Sequence, residues 1–366
     1  MFKRMQIEDW FDKYQFEFDY DIGESGVKFF KVEDLGIDLS KIGLRYIHHR
    51  GMPELRELIA SQIPGIKPYQ IAITTGASEA IFAVIASLID VNDHLIVEVP
   101  TFPSLYEVPS SLNMNYSLCF LEYEESFKLN LEKIASFLTP HTKLICVSHP
   151  NNPTGSVLTT NELEELIRFA EKRDLFLLVD ETYRDLSFSP PPPLAASLSS
   201  RAISICSMSK AFGIPGIRIG WVVGDKETIE SVCAVREQVT ICNSILSETV
   251  AFSVLQNRND ILQRVKKKVF SNFSIMNKWI NSRDDLEWIE PCGGVVGFPR
   301  LVADEPSFEL CLSLIKDHKT FVIPGEYFKM PQHFRLGFGG NSFEIEEGLK
   351  RLGLALDKRK GNKLEP

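Results

Sequence analysis

Between residues 53 and 223 short apolar runs alternate with segments of helical periodicity, and no other feature restricts this chain of 366 residues as much. The runs lie at 71–74, 95–99, 116–121, 144–147, 175–179, 203–206 and 217–223. Several, such as Leu175-Phe176-Leu177-Leu178-Val179, lack polar alternation, which predicts strands buried on both faces. Residues 53–59, 78–89, 104–112 and 161–172 predict helices between them, and Pro53 suits a first-turn position. Strand and helix in alternation predict an α/β fold with a mostly parallel central sheet flanked by helices. From about residue 225 to 281 helical stretches dominate, with the basic segment 264–268 on a long solvated helix. Residues 286–356 return to alternation, with strands at 295–298, 321–323 and 334–336. In a chain large for a single core, that texture predicts a smaller C-terminal α/β domain. The expected division is an N-terminal arm at 1–43 contributing to the small domain, a large domain at 44–262 and the small domain at 263–366.

A formal net charge of -9 argues against a nucleic-acid surface, which needs a concentrated basic face. The basic run Lys358-Arg359-Lys360 reads as a solvated, frayed terminus. Seven cysteines stand singly with no C-x-x-C spacing, which predicts buried thiols in a reducing compartment, with neither disulfides nor zinc. No metal is expected. No stretch approaches the ~18 uninterrupted apolar residues of a membrane span. None near the N-terminus is long enough for a signal-peptide core, so a cytoplasmic protein is expected. Four consecutive prolines at 190–193 predict a stiff loop.

Polar residues gather where these strands end, the edge at which open α/β sheets bind ligands. After the run at 203–206 comes Ser207-Met208-Ser209-Lys210-Ala211-Phe212-Gly213, then Gly216-Ile217-Arg218-Ile219-Gly220-Trp221. A lone lysine after a strand is an ordinary surface residue. Here two hydroxyls, a guanidinium and three glycines flank it on a tight turn. A lysine amine can form an imine with an aldehyde cofactor, and hydroxyls with arginine can hold a phosphate dianion. Asp180, following 175–179, can pair with a protonated pyridine nitrogen and keep the ring an electron sink. Read alone, it is more readily a helix N-cap. Tyr183 can donate to a phenolate oxygen. Asn152, in His149-Pro150-Asn151-Asn152-Pro153-Thr154-Gly155, can present an amide to the same atom, although as a bare turn this sequence is unremarkable. Thr75-Gly76-Ala77-Ser78 joins strand to helix, and the free N–H groups of a first helical turn form an anion site. Phe102 can stack on a planar ring or plug the core.

In this order the residues resemble the signature of the fold-type-I pyridoxal-phosphate enzymes, and the chain resembles the class I/II aminotransferases over nearly its whole length. Tyr46, Gly51 and Leu55-Arg56 are similar to that family's Y-x4-G-x3-L-R segment. The resemblance implies pyridoxal 5'-phosphate as cofactor, with Lys210 as Schiff-base lysine and general base. Asp180 would face the pyridine nitrogen, Asn152 and Tyr183 the phenolate oxygen, and Phe102 would stack on the ring. Ala77, Ser78, Ser207, Ser209 and Arg218 would hold the phosphate, joined by Tyr46 from the partner subunit of a homodimer with shared active sites. Arg335, in Phe334-Arg335-Leu336-Gly337-Phe338, would clamp the substrate α-carboxylate, with Gly23 and Asn152 beside it. The implied partners are small molecules, an L-amino acid and a 2-oxo acid, and the implied reaction is transamination. Relatives on this framework also catalyse decarboxylation, elimination or cyclisation, which stays open as the alternative. A cofactor-binding regulator would need a DNA-binding module, and the acidic residues before Tyr46 show no helix-turn-helix pattern.

Asp21-Ile22-Gly23-Glu24-Ser25-Gly26-Val27 departs from the family's usual glycine–proline stretch near the substrate. Together with residues 295–300 it resembles capreomycidine-synthase-type members, which act on arginine-derived substrates. Glu17, Asp19, Asp21 and Glu24 either solvate an exposed arm or set a preference for a cationic substrate side chain, because a carboxylate cluster at a site entrance concentrates cations. His48, His49 and Arg50 pull the other way if they line the pocket.

Overall fold

The computed structural model describes residues 2–364. Seven strands form one sheet in the order Ile71–Thr74, Gly220–Val223, Ala202–Ser207, Phe176–Asp180, Thr142–Ser148, His94–Val99, Asn115–Phe120. Every pairing is parallel except the two made by Gly220–Val223. Side chains alternate between the two faces, as the two-residue period of a strand demands. Leu95, Val97, Leu144, Cys146 and Leu178 pack under Ile81, Val84 and Ile85 of the helix Gly76–Leu88 and Ile229 and Val232 of Lys226–Glu237. Their neighbours Ile96, Ile145, Val147, Leu177 and Val179 pack on the opposite face against Leu163, Leu166 and Ile167 of Thr160–Glu171. Each such fully buried side chain contributes roughly 1.5–3 kcal/mol. The edge strand Asn115–Phe120 alternates in sequence and is partly exposed.

Register sets the ligand-binding edge. Ser148 lies opposite Asp180, and Thr74 and Ser207 both lie opposite Gly220. The chain that leaves these strands therefore emerges along one rim.

A second sheet places Phe334–Gly337 between Val296–Gly297 and Ile323–Pro324, antiparallel to both. Leu310 and Leu314 of Phe308–His318, Met276 and Ile280 of Arg258–Ile280, and Ile345 and Leu349 of Ser342–Leu364 join its apolar cluster. The N-terminal arm belongs to this cluster. Its helix Gln6–Tyr14, which the sequence pattern does not foretell, buries Ile7, Trp10 and Tyr14 on one face. Its N-cap is Met5, without a capping side chain, and acids crowd its outer face, so the usual start signal is missing. Trp10 Nε1 donates to Val322 O at 3.0 Å, and the indole meets Phe308 edge-on at 5.5 Å. Tyr20–Asp21 pairs in parallel with Thr320–Phe321. Beyond it the arm threads between the lysine turn and Phe334–Gly337: Gly337 N donates to Ile22 O at 2.8 Å, Val27 N to Lys210 O at 3.2 Å and Phe30 N to Gly213 O at 2.9 Å.

Several expectations need correction. The run at 217–223 becomes a strand only from Gly220, because Pro215–Ile217 forms a 3-10 turn and Arg218 takes a positive φ of 53°. The basic terminus is not frayed through residue 360: it lies on the helix Ser342–Leu364, where Arg359 pairs with Glu305 at 2.9 Å and Lys360 with Asp284. The segment 264–268 is only half solvated, since Val265 is buried and Lys268 Nζ donates to Ser342 Oγ at 2.6 Å. The helix Arg258–Ile280 runs without interruption through residues 262 and 263. Five cysteines are buried, but Cys242 is half-buried and Cys292 exposed. The prolines at 190–193 do lie in a loop. Among the described residues, no helix is long and apolar enough to cross a membrane.

Candidate active site

A cleft of about 630 Å³ opens on this rim, between the large sheet, the arm and Phe334–Gly337. It brings together Ala77, Ser78, Phe102, Asn152, Asp180, Tyr183, Ser207, Ser209, Lys210, Arg218 and Arg335. Lys210 Nζ donates to Ser25 Oγ at 2.8 Å and to Glu24 Oε1 at 3.3 Å. Burial disfavours its charge, but Glu24 and Tyr183 together outweigh burial and hold the ammonium above the ordinary lysine value. Glu24 responds in kind. Burial pushes it up, while Lys210 and Arg335 pull harder and leave it below the usual carboxylate range.

Asp180 is the last residue of its strand, and it is buried. Its Oδ1 accepts from Thr182 N at 3.0 Å in a tight turn, so no α-helix follows for it to cap. Burial pushes its carboxyl up, and hydrogen bonding from Thr182 and the charge of Lys210 oppose that only in part, so the residue favours a cation placed against it. Tyr183, also buried, donates from its hydroxyl to Ser25 O at 2.7 Å. Arg335 is 2% exposed and fully engaged. It donates from Nε and Nη2 to Gly23 O, at 3.3 and 2.8 Å, and from Nη1 to Asn152 Oδ1 at 3.2 Å. Gly23 is thus tied to the arginine through its carbonyl, while its N–H donates to Asp21 Oδ1 at 2.8 Å.

The opposite end of the cleft suits an anion. Ala77 and Ser78 stand in the first turn of Gly76–Leu88, whose N–H groups have no preceding carbonyl to serve them. Arg218 lies against that turn so closely that a Cβ on Gly76, itself at φ +80°, would sit 2.5 Å from Nη2. Arg218 Nη1 donates to Ser209 Oγ at 3.4 Å, and Ser209 N to Ser207 Oγ at 3.0 Å. A guanidinium, two hydroxyls and a helix N-terminus fit a phosphate dianion, and the Lys210 amine and Asp180 carboxylate fit an aldehyde-bearing pyridine. The residues present therefore suit pyridoxal 5'-phosphate.

Other expected residues lie elsewhere. Tyr46 is 83% exposed and does not line this cleft. Nor do His48, His49 and Arg50: His49 Nδ1 lies 3.2 Å from Glu237 Oε1, and Arg50 pairs with Glu230. Of the four arm acids only Glu24 reaches the cleft. Glu17 and Asp19 are exposed, and Asp21 turns inward to accept from Gly23 N and Glu24 N. Sequence reasoning missed Glu24 and Ser25 as contacts of Lys210, and Ile7, Glu8, Phe11 and Asp12 as walls of the cleft. The signal available for Glu24 was its place in a stretch that departs from the family pattern.

The sequence profile of the aminotransferase class I and II family matches residues 31–352. A solved pyridoxal-phosphate-dependent aminotransferase from Streptococcus suis superposes with a TM-score of 0.93 at 31% identity, covering 97% of this chain and 98% of that one. Capreomycidine synthase of Streptomyces vinaceus is 28% identical over 94% of this chain and 91% of its own length. Aspartate aminotransferase of Thermotoga maritima is 28% identical over 90% and 88%. With this fold, this cleft and a family match across most of its length, the chain belongs to the class I and II aminotransferases, enzymes that work with pyridoxal 5'-phosphate.

Proposed function

We propose that the cleft performs transamination between an L-amino acid and a 2-oxo acid, with Lys210 as both the cofactor's anchor and the base that moves the substrate α-proton. The observation that carries this reading is the convergence of the Lys210 amine, the buried Asp180 carboxylate and the Arg335 guanidinium on one cleft. When bound, the cofactor supplies an aldehyde for the substrate amine and a ring that takes up the electron pair left at Cα. The other functions belong to the chain. Arg335 exchanges the Gly23 carbonyl for the substrate α-carboxylate, which it can grip with two parallel N–H donors. Asp180 keeps a proton on the ring nitrogen, because a buried carboxylate favours a cation against it. Tyr183 and Asn152, which line the cleft, would donate to the ring oxygen, and Phe102 would cover the ring. Lys210, once free, is close enough to take the α-proton as general base. Ile7 and Phe11, which line the cleft, would limit the entry of water.

Glu24 supports a cationic side chain as the preferred substrate group, with Glu8 and Asp12 adding further arm carboxylates to the cleft wall. Similarity to capreomycidine synthase keeps cyclisation as the alternative outcome on the same residues. We also propose a homodimer in which Tyr46 completes the partner's phosphate site. The division into arm, large and small domains is proposed with its seam on the helix Arg258–Ile280. Unpaired cysteines support a reducing, cytoplasmic compartment.

Borohydride reduction after incubation with pyridoxal 5'-phosphate, followed by peptide mapping, should place one adduct on Lys210. A survey of single amino acids should then yield a 2-oxo acid, fastest from those with a cationic side chain. An adduct on another lysine, or none, would overturn the assignment.

A further inference from the structure

Arg236 lies in the last turn of the helix Lys226–Glu237 and is 1% exposed. A guanidinium is buried at such depth only when its charge is paired and its donors are used. Here three donors reach three separate segments. Nε contacts Glu79 Oε2 at 3.4 Å, Nη1 donates to His49 O at 3.0 Å, and Nη2 to Asn243 Oδ1 at 2.8 Å. Glu79 lies within one helical turn of Ala77 and Ser78, accepts from Thr75 N, and takes Thr240 Oγ1 at 2.7 Å. Asn243 passes the connection on, donating from Nδ2 to Glu248 Oε1 at 3.1 Å, while Glu248 Oε2 accepts from Met52 N.

Glu79 creates a conflict. By taking the Thr75 N–H it fixes the backbone that aims Ala77 and Ser78 into the cleft. Its negative charge, one turn from the place assigned to a phosphate dianion, opposes that same ligand. Arg236 carries the compensating charge from behind, out of reach of solvent screening. We propose that Arg236 is a positioning residue for the phosphate end of the cleft, neutralising Glu79 so that the helix start can be both rigid and anion-binding. The proposal rests on the reading of Ala77 and Ser78 as phosphate donors.

The test compares the dissociation constants of pyridoxal 5'-phosphate and of pyridoxal, which lacks the phosphate, for protein stripped of cofactor. The preference for the phosphorylated form, pyridoxal's constant divided by that of pyridoxal 5'-phosphate, isolates the phosphate from general effects on the fold. Arg236→Gln should lower this preference by about 10–100-fold, the effect of one uncompensated charge at partial burial. Adding Glu79→Gln should restore most of it, and Arg236→Lys, which keeps the charge, should hold it within about threefold of the original. A preference unchanged in Arg236→Gln, or a loss that Glu79→Gln does not recover, would overturn the proposal and leave Arg236 a residue of the fold alone. Should Arg236→Gln not fold, Glu79→Gln alone decides: it removes the opposing charge while Arg236 stays and should raise the preference, and an unchanged or lowered preference would count against the idea. A native protein that takes up neither aldehyde would instead sink the assignment of the cleft, and this inference with it.

Discussion

Asp180 sits where it does because an apolar strand ends on it, and its Oδ1 needs only the Thr182 N–H to hold its turn. Asparagine can accept that same hydrogen bond, so Asp180→Asn should fold and keep its cofactor. It cannot supply the negative charge that holds a proton on the ring nitrogen, and turnover should fall on the order of 10²–10⁴-fold. Steady-state rates normalised to bound cofactor measure this, and a near-normal rate would refute the role. The sequence made Asp180, Lys210, Asn152, Tyr183 and Arg218 legible because each follows a buried strand or a turn of distinctive composition, and such positions share one rim. Glu24 was legible only as one of four acids. Its partner Lys210 lies 186 residues away, and although Glu24 stands in the stretch that departs from the family pattern while Glu17 and Asp19, which face water, do not, nothing local names that partner. His48 and His49 misled for the same reason, because proximity in sequence to Tyr46 says nothing of which cleft a side chain enters.

The strand His94–Val99 shows how one element can hold another. Glu98 Oε1 accepts from Ser148 N at 2.6 Å and from Asn151 Nδ2 at 3.1 Å, both in the loop that carries Asn152. Burial pushes this carboxyl up from 4.5 to about 8. The folded state therefore keeps a proton that the unfolded chain gives up above about pH 4.5. That contribution to stability is complete at low pH and is lost as pH rises toward 8. Glu98→Gln imitates the protonated form and accepts the same two donors, so the native protein should lose stability relative to this variant across that window. The loss should amount to a few kcal/mol at most, since each tenfold difference in proton affinity between folded and unfolded chain is worth about 1.4 kcal/mol. Thermal unfolding of both proteins from about pH 5 to 9 measures the gap, and a constant gap would place the proton elsewhere. At this scale strand placement was read closely from the apolar runs, because a strand buried on both faces must be largely apolar. The helix Gln6–Tyr14 was not, since its stability comes from Trp10 and Tyr14 docking on residues near 308 and 322 and not from local signals.

For the whole molecule, the segment from Phe29 to Tyr46 is the least finished surface. Phe29, Val32, Leu44 and Tyr46 are all exposed, and an apolar set of this kind is what a subunit contact covers. If Tyr46 serves the partner's site, two inactive variants should rescue each other. Equal amounts of Tyr46→Ala and Lys210→Ala chains, mixed and allowed to exchange, should recover about a quarter of native activity, from hybrids with one intact site each. A monomer with full activity, or no recovery after exchange, would refute the shared site. The bond from Trp10 to Val322 spans 312 residues and carries a different consequence, one for synthesis on the ribosome. The helix Gln6–Tyr14 emerges with a sticky face whose seat is made only 312 residues later. At roughly 5–20 residues per second, Trp10 waits for tens of seconds before Val322 exists to receive it. The large sheet can close during that interval, while the arm stays dependent on whatever shields exposed indole and tyrosine rings in the cell. A nascent chain stalled short of that seat would leave the ribosome with its cleft unwalled and its arm free to associate.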